Sequence, residues 1–174
     1  MDGFFTAPSS KGMTLIEVAV VVAIISVILL ITFPRIPLLS DYTLKNEARK
    51  LAGLFRSLDA TATTRKRYYK VSIEPNSKRP EANRIEVESS SDGLEFMPEE
   101  DTLLKGLILN KRVVIDDIEV AGLGRIDEGE HLLLFFNPVY GAEPFKLHIR
   151  EGSSIFTINY NPYSGRVKII EGRI

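Results

Sequence analysis

Between Met13 and Phe33 the chain runs 21 residues with a single charged side chain, Glu17, and that run constrains everything else. At about 1.5 Å per residue it makes roughly 31 Å of helix, close to the hydrocarbon thickness of a bilayer. Valine and isoleucine are mediocre helix formers in water. Lipid offers their backbone no other hydrogen-bond partner, so Val18 to Ile25 is expected to be helical there. The run therefore predicts one membrane-spanning helix over 13–33. A carboxylate inside it costs on the order of 2.5–3.5 kcal/mol at the bilayer centre, and less near an interface, so Glu17 needs a partner.

A cleaved secretory signal would also begin with an apolar core, but it requires a small-residue cleavage site after that core. Phe33-Pro34-Arg35-Ile36-Pro37-Leu38 has none, so any processing is expected before the span. The residues there, Lys11-Gly12-Met13-Thr14-Leu15-Ile16-Glu17-Val18, resemble the type IV prepilin motif. The resemblance implies a cytoplasmic leader over 1–12, a peptidase cut between Gly12 and Met13, and N-methylation of Met13 as the new amino terminus. Phenylalanine is commonest at that last position, so Met13 is a mild departure. It further implies that Glu17 pairs with the free amine of Met13 in a neighbouring subunit and sets axial register, and that Pro34 loosens the helix. The charge count points the other way on topology. Lys11 lies before the run and Arg35, Lys45, Arg49 and Lys50 lie after it, an excess that by the positive-inside rule keeps the bulk of the chain in the cytoplasm. The motif is the more specific signal, and the resemblance implies that the rest of the chain lies in the periplasm.

Of the 22 basic and 23 acidic side chains, only Lys11, Asp2 and Glu17 precede residue 34, so the remainder is electrically balanced. It is not evenly distributed: eight basic residues between 45 and 70 face only Glu47 and Asp59, whereas 71–130 is strongly acidic. Such opposed patches suit head-to-tail docking of subunits, and they equally suit a solvated surface. The roughly 140 residues after the span are enough for one domain. With no cysteine, no disulfide holds it, and thiolate chemistry and thiolate metal sites are excluded.

Leu44, Ala48, Leu51, Phe55, Leu58 and Ala62 recur at alternating four- and three-residue spacing, which predicts an amphipathic helix within 34–67 whose stripe faces a core. Strands are expected over 68–73, 84–88, 112–120, 131–136, 145–150, 154–160 and 165–170, the last three as a meander. The expected fold is α+β: a pilin-like arrangement in which a long amino-terminal transmembrane-plus-amphipathic helix packs against an antiparallel sheet domain over 68–174. Leu104-Lys105-Gly106-Leu107, Phe136-Asn137-Pro138 with Gly141, and Ser164-Gly165-Arg166-Val167 resemble the later pattern of minor pseudopilins of the type II secretion H kind and of the related FimT-like minor pilins. The retained Glu17 resembles a subunit that docks onto others, not the one that caps the filament.

No catalytic constellation is apparent. His131 and His148 lack the companions a nucleophile, base and oxyanion hole need, and both read as structural histidines in strands, so no enzyme activity and no cofactor are expected. Glu99-Glu100-Asp101 and Asp116-Asp117-Glu119 lack calcium-loop spacing and read as solvated acidic loops, with no metal expected. Arg65, Lys66 and Arg67, followed by Tyr68 and Tyr69, form the one basic-aromatic run that could hold single-stranded DNA, with Arg166, Lys168 and Arg173 as candidates to extend it. A domain without net positive charge argues against a strong nucleic-acid binder. The reading the resemblance implies is a non-enzymatic minor pseudopilin, a structural subunit of the type II secretion pseudopilus in protein secretion across the outer membrane, single-pass in the bacterial inner membrane with its domain in the periplasm. The partners this implies are a prepilin peptidase, other pseudopilins or pilins and the inner-membrane assembly platform, and the alternative is a FimT-like minor pilin in pilus assembly or DNA uptake.

Overall fold

The computed structural model describes residues 13–32, 38–75, 83–127 and 131–174. The chain forms two units, 1–37 and 38–174. The first contains helix α1, Leu15–Thr32. The second begins with helix α2, Leu38–Arg65, and continues through ten strands among the described residues.

Helix α2 follows the periodicity. Leu44, Ala48, Leu51, Phe55, Leu58 and Ala62 are all buried, while Lys45, Arg49, Lys50 and Arg56 are exposed. The helix stops at Lys66, which turns left-handed (φ 52°) so that the Arg67 amide donates to the Ala62 carbonyl at 3.2 Å, closing a Schellman-type terminus.

The strands build two antiparallel five-stranded sheets, where a single sheet was expected. In the first, β1 (Tyr68–Ile73) pairs with β2 (Arg84–Ser90) on one side and β7 (Leu132–Phe136) on the other, and β2 also carries the short β3 (Met97–Pro98) and β4 (Gly106–Ile108). In the second the order is β10 (Arg166–Glu171), β9 (Ser154–Asn161), β8 (Phe145–Glu151), β5 (Val114–Val120) and β6 (Gly124–Ile126). The meander β8–β9–β10 is as expected. β7, although it directly precedes that meander, returns to pair with β1.

β1 and β7 bury one face by alternation, β8 buries His148 on its other face as well, and α2 packs mainly on β8, β9 and β10 while also touching β1 and β7. The join is aromatic. Phe55 of α2 lies 5.0 Å edge-on to Phe145 and 6.3 Å from Phe136, and Tyr160 stacks on Phe145 at 5.1 Å. One helix side chain thereby meets both sheets.

Two glycines of the later sequence pattern have a structural reason. Gly106 adopts φ 93°, and a Cβ there would lie 2.0 Å from the Ile85 carbonyl oxygen. Gly141 adopts φ 74° in the β7–β8 turn, with the Tyr160 hydroxyl 2.5 Å and the Asp59 carboxylate 2.7 Å from where its Cβ would stand. That packing frees the Tyr160 hydroxyl to donate to Asp59 Oδ1 at 2.7 Å and accept from the Ala142 amide at 3.2 Å. Burial, with the Asp59 carboxylate adding to it, pushes the Tyr160 phenol well above its ordinary pKa. Gly106→Ala is expected to cost roughly 2–4 kcal/mol, strain plus displaced backbone, measurable as a shift in the urea midpoint at unchanged slope.

Candidate functional site

The amino-terminal segment comes first because its chemistry is the least ordinary. Thr14 stands just outside α1 and caps it: the Glu17 amide donates to Thr14 Oγ1 at 3.3 Å and to the Thr14 carbonyl at 3.0 Å, and the Val18 amide to the same carbonyl at 3.2 Å. Thr14-Leu15-Ile16-Glu17 therefore has the spacing of a capping box, a signal present in the sequence and passed over above. The carboxylate also lies in the first turn, where the helix dipole favours negative charge. Neither effect neutralises it, and among the described residues no cation or donor lies on the Glu17 carboxylate.

From Met13 to Leu29 every described side chain of this unit is exposed, and apolar residues occupy all faces of the helix. A helix apolar all round must be covered by lipid or by other helices. Among the described residues no helix is long and apolar enough to cross a membrane. Helix α1, Leu15–Thr32, is about 27 Å long. Lys11, Gly12 and Pro34, together with the rest of the expected 1–12 leader, lie outside the described residues.

The basic run lies at the end of α2. Arg65 Nη1 lies 3.3 Å from Asp101 Oδ2, Lys66 is the helix-terminating residue, and Arg67 is half-buried. Tyr69 is fully buried, and burial followed by the nearby Glu99 charge raises its phenol pKa. Of the residues considered as an extension, Arg166 and Lys168 point outward from β10, whereas Arg173 is engaged with Asp116 and Asp117.

The acidic clusters divide. Glu99-Glu100-Asp101 is a loop, with Asp101 Oδ1 accepting from the Leu103 amide at 3.0 Å. Asp116-Asp117-Glu119 is no solvated loop: all three lie on β5, where a bulge between Ile115 and Asp117 turns Asp117 onto the outer face of the second sheet. There Asp117 is fully buried. Its Oδ1 is 2.7 Å from His148 Nδ1, and its Oδ2 is 2.7 Å from Arg173 Nη2 and 3.0 Å from Arg125 Nη2. Arg173 also engages Asp116, which Arg150 approaches at 3.1 Å. The cover is the tail after β10: the Gly172 amide donates to the Ile155 carbonyl at 2.8 Å, and Thr157 Oγ1 donates to the Gly172 carbonyl at 2.6 Å.

Asp117, Glu119 and His148 can bring ligand atoms within 4.8 Å of one another. Two guanidinium groups already occupy the cation position at Asp117, so the cluster reads as an internal ion network. His148 is in a strand, as expected, and its buried Nε2 has no hydrogen-bond partner among the described residues. His131 is not: it precedes β7, is exposed, and lies 3.8 Å from Glu74.

Comparison with known proteins agrees with the amino-terminal reading. The family model for the prokaryotic N-terminal methylation motif matches residues 8–33. Among solved structures, the minor pseudopilin EpsH from the type 2 secretion system of Vibrio cholerae is similar to this chain with a TM-score of 0.55 and 16% identity, over 74% of this chain and 97% of that one. No curated protein matches the chain by sequence. The chain therefore joins a prepilin-type methylation motif to a pilin-like α+β fold.

Proposed function

We propose that this protein is a membrane-anchored, peptidase-processed structural subunit of a type IV pilin-like filament, and specifically a minor pseudopilin of a type II secretion system. The observation that carries the reading is the Gly12-Met13…Glu17 motif set directly on a helix apolar on every face, in a chain whose fold is that of a pseudopilin. Residues 1–12 are the leader, Gly12 precedes the cut, and Met13 becomes the methylated amino terminus. The helix then lies in the inner membrane before assembly and in a bundle of sister helices after it, with 68–174 in the periplasm. Glu17 accepts the charge of a neighbour's Met13 amine. Partners are the prepilin peptidase, sister pilins or pseudopilins and the assembly platform. No catalytic role is assigned to the domain.

The deciding experiment is the intact mass of the protein co-expressed with a prepilin peptidase, against the protein expressed alone. Loss of residues 1–12 with gain of one methyl group is expected. An unchanged mass beside a peptidase that processes a control substrate would reduce the chain to an ordinary anchored domain.

A further inference from the structure

The long edge strands of the two sheets differ in their protection. β10 carries Arg166, Lys168 and Glu171, charges that discourage another strand from pairing with it, and β3, β4 and β6 are only two or three residues long. β7 has neither defence. Its sequence is Leu132-Leu133-Leu134-Phe135-Phe136, without charge or proline, and among the described residues it pairs only with β1.

A groove of about 370 Å³ runs along that edge. Leu132, Leu133, Leu134 and Phe135 all line it. Successive residues point to opposite faces of a sheet, so only the strand's edge can present four in a row to one groove. The opposite wall holds Val120, Leu123 and Glu143, kept together by the Ala121 amide donating to the Pro144 carbonyl at 2.9 Å. Leu123 and Tyr140 are exposed, and Phe135 is half-exposed, backed by Phe96 at 5.8 Å. Glu143 is exposed and has no cation against it among the described residues.

We infer that the β7 edge and the Leu123–Glu143 wall form a docking groove for an extended strand of a partner protein, apolar at alternate positions and carrying a basic side chain toward Glu143. The edge supplies backbone hydrogen bonds, the apolar lining selects alternate side chains, and the lone carboxylate selects the sign of charge. This inference is independent of the processing motif and of the filament reading.

The test uses the full chain in lipid nanodiscs and two synthetic peptides of alternating valine and threonine, identical except for a central lysine or glutamate. The lysine peptide is expected to bind about three- to fivefold more tightly, the scale of an exposed ion pair, and less so at high salt. Amide exchange at 132–136 should slow on binding. Glu143→Gln should remove the preference while keeping the binding, and L133K, at an exposed position opposite Ser72, should abolish binding without changing the circular dichroism. Absence of binding by both peptides, or binding that leaves β7 exchange unchanged, would overturn the inference. So would self-association of the chain that protects the same amides and excludes the peptides, which would assign the edge to a second copy.

Discussion

Asp117→Ala is expected to destabilise the 38–174 unit by about 3–5 kcal/mol, the cost of removing one partner from a buried charge pair. The acid is fully buried, and its loss strands three groups at once: His148 Nδ1 inside the protein, Arg173 over Asp116 alone, and Arg125 at the sheet rim. The effect should be unequal among the partners. Arg173→Met should cost much less, because Arg173 is partly exposed and Asp117 keeps Arg125 and His148. Urea unfolding of both variants and of the double variant closes a cycle, in which a coupling above about 0.5 kcal/mol shows that the tail and the strand act through this contact. Had Asp117 stood in a solvated loop, its replacement would fall within about 0.5 kcal/mol of the parent. A result in that range would refute the network described here.

That acid also shows where sequence reading stops. The α2 stripe was legible because burial on a helix repeats with the backbone period, and β1, β8 and β9 were legible from apolar runs cut by Pro, Gly and Asn turns. β5 was found as a strand, but the bulge that rotates Asp117 adds one residue to an alternating pattern and leaves no mark of its own. Arg173, counted above with a basic patch, lies 56 residues from Asp117 in sequence, and the fold alone joins them. β7 gave its length and type correctly. What its sequence could not give was its sheet, since pairing with β1 instead of β8 is decided by which core face α2 leaves for Phe136.

The amino-terminal motif is the reverse case. Its residues are read from the sequence, the structure adds the capping geometry at Thr14, and together they raise the question of what Glu17 is for. A capping box needs a side-chain acceptor at this position and works with glutamine as well as glutamate, whereas pairing with a neighbour's amine needs the charge. On the proposed function, Glu17→Gln and Glu17→Ala are therefore expected to behave alike in assembly, both lowering incorporation of the processed subunit by roughly a hundredfold or more, the scale of a buried charge left without its partner. Neither should impair anchoring, since removing an acid from an apolar helix makes insertion easier. The measurement is the fraction of subunit recovered in sheared filaments against the membrane fraction, with intact mass confirming that the leader has been cut in each variant. If Glu17→Gln assembled like the parent while Glu17→Ala failed, the side chain would be a helix cap and the register role would pass to another contact.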